Sequence, residues 1–145
     1  MSEAPAARPP VSPVVSLLTV SAVWEARLDT ELRALGLTTR KYGLLAHIRS
    51  APGISFSDLA RRSQITVQTA HAAVHALVDA GFVSDATALA GAASVLRVTE
   101  AGMEVLRGAD DMLRRLDAEF AASSPGLSAA LGGVHEDPFT ASQIP

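Results

Sequence analysis

The sequence predicts a mainly α-helical domain of the α+β class, with one small β-hairpin set between long terminal helices. Three observations carry this expectation. Apolar residues recur at three- and four-residue steps over most of the chain. Thr or Ser precedes four of these periodic runs, and glycine, alone or beside proline, follows them. Only two short runs, residues 82–83 and 95–98, have β character. With 145 residues, the chain is expected to form one domain with a real core, since domains average about 100–200 residues.

Residues 1–13 hold four prolines (Pro5, Pro9, Pro10 and Pro13), which withhold backbone donors from any regular element, so this segment is read as a flexible arm. Over residues 14–35 the stripe Leu17, Val20, Trp24, Leu28, Leu32 and Leu35 predicts a long amphipathic helix closed at Gly36. So narrow a stripe suits packing against another helix, including one from a second subunit. A second helix is expected to start at Thr38 or Thr39, to run through Tyr42, Leu44, Leu45 and Ile48, and to end at Pro52-Gly53. Ser55, three residues before Asp58, marks a capped short helix containing Leu59 and Ala60.

After Ser63-Gln64, Thr66 is a good N-cap for a helix that reaches Ala80 and closes at Gly81. On that helix Ala70, Val74, Leu77 and Val78 share one side; Gln68, Ala72, His75 and Asp79 lie roughly opposite, flanked by Thr69 and His71. Short helix, tight turn and second helix form a helix-turn-helix pattern. Phe82-Val83 and residues 95–98 are expected to pair as a hairpin around a small-residue tip, 86–94. Thr99 then caps a long helix carrying Val105, Leu106, Ala109, Met112, Leu113, Leu116 and Phe120, which Ser123-Ser124-Pro125-Gly126 breaks. Residues 127–131 are read as one more short helix and 132–145 as a tail. Asp110, Asp111, Asp117 and Glu119 are read as the polar side of the long helix.

Composition narrows the function. With no cysteine, a disulfide scaffold, a thiolate zinc site and a cysteine nucleophile are excluded. No apolar run reaches the roughly 18 residues of a membrane span, because Arg27, Asp29, Glu31 and Arg33 interrupt the best stretch. No secretory signal is recognised, and a soluble cytoplasmic protein is expected. The net charge of −3 is unevenly spread. Residues 38–83 carry five cations against two acids, while residues 84–145 carry four arginines against nine acids. Only the middle third can approach a polyanion, because attraction to phosphate follows the local field. Glycine-rich phosphate loops, nucleophile elbows and supported acid pairs are absent, so no enzyme and no cofactor are expected.

Several stretches carry a family likeness. They are Leu37-Thr38, then Ile54-Ser55-Phe56-Ser57-Asp58-Leu59-Ala60, then Leu77-Val78-Asp79-Ala80-Gly81-Phe82-Val83, and most of all Leu96-Arg97-Val98-Thr99-Glu100-Ala101-Gly102. In this order and spacing, over residues 14–122, the chain resembles the MarR (multiple antibiotic resistance regulator) family of winged helix-turn-helix transcriptional regulators. The resemblance implies a homodimer built from helices in 14–37 and 99–131, around a DNA-binding lobe at 38–98 with a β-hairpin wing. It also implies repression at a pseudo-palindromic operator of double-stranded DNA, with release by a small aromatic or phenolic anion.

On that reading residues 66–80 form the recognition helix, whose first turns reach base edges in the major groove. The candidate readers are Thr66, Gln68, Thr69, His71 and Ala72, with His75 near phosphate. Gln68 can pair bidentately with adenine, and Thr69 can bond a base or touch a thymine methyl. Arg40, Lys41, Arg61 and Arg62 are candidate phosphate contacts. Trp24, Arg27, His47 and Arg97 are candidates to hold an aromatic carboxylate, although Trp24 is read in the first place as a dimer-core residue. His71 and His75 have the i, i+4 spacing of a metal pair, but with no third ligand nearby in sequence no metal is expected. The wing departs from the family, whose members usually place arginine near the tip. The matching Leu89-Ala90-Gly91-Ala92-Ala93 has no charge, and Ala72 and Ala76 stand where relatives often have arginine. The alternative is therefore a winged-helix protein that has lost DNA binding and acts through protein contacts or ligand sequestration.

Overall fold

The computed structural model describes residues 11–85 and 95–132. Six helices and two strands follow one another as α1 (Pro13–Ala34), α2 (Thr39–Ser50), α3 (Phe56–Arg62), α4 (Val67–Asp79), β1 (Val83–Asp85), β2 (Leu96–Val98), α5 (Glu100–Ser123) and α6 (Pro125–Gly132). Five helices begin as their sequences predict or nearly so. The side-chain oxygens of Ser12, Thr38, Ser55, Thr66 and Thr99 each accept the backbone N–H three residues on. Each thereby satisfies one of the donors that a helix N-terminus leaves open. The ends of α1 and α4 are equally local. Gly36 and Gly81 take positive φ of 74° and 80°, and the next residue's N–H returns to Leu32 or Leu77. This is the Schellman closure, which favours glycine because an added Cβ is strained there.

The core forms where these elements meet. Leu32, Leu45, Ile48, Leu59, Val74, Leu77, Leu96 and Leu106 are completely buried. Burying side chains of this kind contributes roughly 1.5–3 kcal/mol each before entropy is subtracted. The hairpin is antiparallel, with Val83 opposite Val98 and Ser84 opposite Arg97. Its second strand is also held from the other side, where Ile54 bridges Leu96 and the Gly53 N–H donates to the Leu96 carbonyl.

Three boundaries and the reading of the α5 acids differ from the expectation. Phe82 is not in β1: its N–H closes α4 on Leu77 and its carbonyl accepts from Thr99, so the strand starts one residue later and extends to Asp85. Pro125-Gly126 is not a loop but the first turn of α6, since proline fits the first helical position, where no donor is needed. The acids of α5 are not merely a solvated face. Asp110 accepts both arms of the Arg49 guanidinium, at 2.8 and 3.3 Å, and Glu119 pairs with Arg27. Both pairs join α5 to a different helix, a relation that spacing along α5 alone does not reveal. Ser12 and Pro13, expected in the arm, instead cap and open α1, as proline suits the first helical position. The 86–94 tip, residues 1–10 of the arm and the tail after 132 lie outside the described residues.

α1 is only partly used by its own chain. Leu32 is buried and Trp24, Leu28 and Leu35 pack against the core, but Val14, Val15, Leu17, Leu18 and Val23 remain exposed.

The closest backbone approach is at Gly102. A Cβ there would run into the Phe82 carbonyl and the Val98 side chain, whereas one at Gly43 in α2 would meet nothing within 4 Å. Gly102→Ala is therefore expected to cost about 1–3 kcal/mol in chemical denaturation, as overpacking does. Gly43→Ala is expected to stabilise by about 0.5–1 kcal/mol, through helix propensity alone.

Tyr42 stands beside the Arg49–Asp110 pair. Burial raises its phenol above the ordinary 10.0, and the charge of Asp110 raises it further. It is the only tyrosine, so phenolate absorbance reads it directly. The wild-type midpoint is expected above 10.0, and Asp110→Asn is expected to bring it down part of the way, because the burial remains.

Candidate functional site

The tight turn between α3 and α4 sets the geometry of the site. Gln64 adopts a left-handed backbone, at φ 53°, and the Ile65 N–H returns to the Ala60 carbonyl. The chain thereby reverses in three residues, which lets Leu59 and Ala60 of α3 pack with Ala70, Val74 and Leu77 of α4 in one buried layer. The opposite side of α4 is left to solvent. Gln68, Ala72, His75 and Asp79 are exposed, as the helical pattern predicts.

The flanking candidates are more engaged. The Thr69 hydroxyl lies 2.8 Å from that of Thr66, which also caps the Thr69 N–H at 3.1 Å. His71 is half-buried, its ring stacked on Phe56 at 3.7 Å with an 18° interplanar angle, while His75 meets its edge at 6.1 Å. Among the described residues no three histidine or carboxylate side chains cluster as metal ligands. Val67, at the first position of α4, was not among the sequence candidates, yet it is 42% exposed. The signal that could have found it was a branched apolar residue just after the N-cap, where the buried stripe runs out at the start of the helix.

The cations divide into two groups. Arg27, Arg33, Arg49, Arg114 and Arg115 all pair with carboxylates on α1 or α5. Of the four phosphate candidates, Arg61 pairs with Asp58 one turn earlier on α3. The Ser55 hydroxyl and then Arg61 hold the Asp58 carboxyl below the usual carboxylate range. Arg40, Lys41 and Arg62 form no ion pair among the described residues. Arg40 lines a groove of about 540 Å³ with Thr39, His47, Ser63 and Gln64, between the start of α2 and the α3–α4 turn. Arg40 in this groove and Arg62 at the end of α3 thus leave uncompensated positive charge beside the turn that leads into α4, and Lys41 adds to it on α2. Such an arrangement attracts phosphate.

A second, apolar groove of about 370 Å³ runs between α1, α5 and α6, lined by Leu17, Trp24, Leu28, Leu116, Phe120 and Leu127 among others. Trp24 meets Phe120 edge to face at 5.1 Å, and the Arg27 guanidinium covers the Trp24 ring at 4.6 Å. The structure therefore brings Trp24 and Arg27 together. His47 lies in the other groove and Arg97 on β2, facing Ser84 across the hairpin. The four residues expected to hold an aromatic carboxylate do not converge in one groove of a single chain. No helix among the described residues is long and apolar enough to cross a membrane.

Comparison with known proteins agrees with this geometry. The MarR family profile matches residues 35–88, from the end of α1 through the start of the hairpin. The chain is 30% identical over 107 residues to the HTH-type transcriptional repressor Rv2887 of Mycobacterium tuberculosis, covering 73% of this chain and 77% of the relative. The structure of Rv2887 in complex with DNA superposes with a TM-score of 0.67 at 26% identity, over 80% of this chain and 88% of that one. Rv2887 in complex with salicylic acid gives 0.66 at 26% identity, over 87% and 98%. With a matching profile, a relative aligned over most of both chains and the same order of helices, turn and hairpin, this chain belongs to the MarR family.

Proposed function

We propose that the chain is a cytoplasmic, homodimeric transcriptional repressor that binds a pseudo-palindromic operator in double-stranded DNA. The observation that carries this reading is the exposed face of α4 together with Arg40 beside the turn that leads into it and with Lys41 and Arg62, none of which a carboxylate neutralises among the described residues. The cations hold the phosphate backbone and set the register of α4, whose first turns then meet base edges. Thr66, Gln68, Thr69, His71 and Ala72 are the base-facing set and His75 approaches phosphate, while Arg61 contributes less because Asp58 already occupies it.

Dimerisation follows from the terminal helices. The exposed Val14, Val15, Leu17 and Leu18 of α1 and Leu131 of α6 are large apolar side chains in one region, which a second copy would cover. The helices in 14–37 and 99–131 form that interface, and the lobe 38–98 hangs from it. Two copies of α4 then reach half-sites about one helical turn, roughly 34 Å, apart. A small aromatic or phenolic anion is the effector, a reading supported by the structure of Rv2887 in complex with salicylic acid. Trp24 supplies an aromatic wall for it, and Arg27, which Glu119 already occupies, contributes less.

Fluorescence anisotropy with the duplex upstream of the chain's own coding region, at two salt concentrations, tests the reading. Binding that weakens steeply with salt is expected. Arg40→Ala, Lys41→Ala and Arg62→Ala are each expected to lower the salt slope by about one phosphate and to weaken all sequences alike. Gln68→Ala is expected to lose roughly 1–3 kcal/mol at one base position and to relax preference there. A verified dimer with no affinity at low salt would overturn the proposal in favour of a winged-helix protein that has left DNA, which the uncharged residues 89–93 would then explain. The interface is tested separately: Leu18→Asp is expected to turn the dimer into a monomer in sedimentation.

A further inference from the structure

The face that α4 turns to solvent is unusual in its chemistry. Residues 67–79 contain no lysine and no arginine, and Asp79, at the far end, is their only formal charge. Guanine is most often read by an arginine or lysine fork on its O6 and N7, which this helix cannot provide. Its other polar groups near the N-terminus also touch the protein itself. Thr69 shares its hydroxyl with Thr66, and the His71 ring lies flat on Phe56. In the first two turns this leaves the Gln68 amide as the polar side chain with no protein partner among the described residues.

Near that amide, besides His71 and His75, the surface carries apolar groups. Val67 is one of only two large hydrophobic side chains exposed outside residues 11–23 and α6 among the described residues, the other being Met103. Ala72 is exposed as well. At about 3.6 residues per turn Gln68 and Ala72 lie about 40° apart on the exposed side, while Val67, aligned with the buried Ala70 and Val74, reaches solvent because it opens the helix at the end that enters the groove first. An adenine–thymine pair presents to the major groove the complement of this surface. Adenine offers N7 and N6–H to a carboxamide, and thymine carries the only methyl group in the groove.

We infer that α4 reads thymine through its C5-methyl groups, packed on Val67 and Ala72, while the Gln68 amide pairs with a neighbouring adenine, so that the core of each half-site is A·T. The inference rests on the DNA-binding reading above and names the class of sequence that this site takes. Arg40, Lys41 and Arg62 supply the attraction to phosphate that any sequence shares. Val67, Gln68 and Ala72 supply the discrimination.

The test begins with selection from a randomised duplex pool by the full chain, followed by affinity measurements on the selected duplex with each thymine in turn replaced by deoxyuridine. That replacement removes one methyl group and leaves both the hydrogen-bonding edge and the protein unchanged. A·T half-site cores are expected. At the thymines facing Val67 and Ala72, deoxyuridine is expected to weaken binding about fourfold, the equivalent of one buried methyl-sized group. Val67→Ala is expected to weaken binding to the thymine duplex and to lose most of its sensitivity to deoxyuridine at one position. Selection of G·C cores, or equal affinity for thymine and deoxyuridine duplexes, would overturn the inference while leaving DNA binding intact. A pool from which nothing is enriched would overturn both.

Discussion

At Gly81 and Phe82 three elements meet within a few backbone atoms. The end of α4 closes there, β1 begins one residue later, and α5 starts against the same turn. The Thr99 N–H donates to the Phe82 carbonyl, its hydroxyl donates to the Gly81 carbonyl, and the same hydroxyl caps α5 at Gly102. Gly102 lets the first turn of α5 lie directly on Phe82, where any side chain would collide. The position of α4 relative to α5 is thus set by backbone contacts, which are stiffer than side-chain packing. The helix that meets DNA in our proposal is therefore rigidly joined to the long helix that leads toward the second subunit.

A second tie lies on the other side of the lobe. Arg49 of α2 and Asp110 of α5 form a two-armed pair, with Tyr42 alongside. Planar guanidinium and carboxylate groups fix orientation as well as distance. Both side chains are about a third exposed, at 31% and 34%, so the pair contributes more to alignment than to stability. Together with the Phe82 junction it places α2, which carries Arg40 and Lys41, and α4 in one frame.

Charge is distributed so as to leave this frame attractive to a polyanion despite a net charge of −3. The acids are concentrated on α1 and α5, where they neutralise the arginines of the same two helices and of α2. Arg40, Lys41, Arg62 and Arg97 of the lobe and Arg107 of α5 are left without an ion pair among the described residues. In our proposal electrostatics supplies attraction without sequence preference, and the small, apolar and amide-bearing side chains of α4 supply preference without charge. This separation makes an uncharged 89–93 stretch compatible with a DNA-binding role.

The sequence alone determined what depends on neighbours within a few residues. Helix starts at Thr38, Ser55, Thr66 and Thr99, helix ends at Gly36 and Gly81, and the buried side of α4 at Ala70, Val74 and Leu77 were all legible, because capping, left-handed glycine and the helical period are local effects. The exposed positions of Gln68, Ala72 and His75 followed from the same period. What joins distant segments was decided only by the tertiary structure. Asp110 and Glu119 found arginines 61 and 92 residues away. His71 found Phe56 on another helix. Trp24 and His47, grouped in sequence as partners for one ligand, were placed in separate grooves. Spacing along a chain says which side chains share a face, but which face meets which is set by how the helices pack, and that is a property of the whole core.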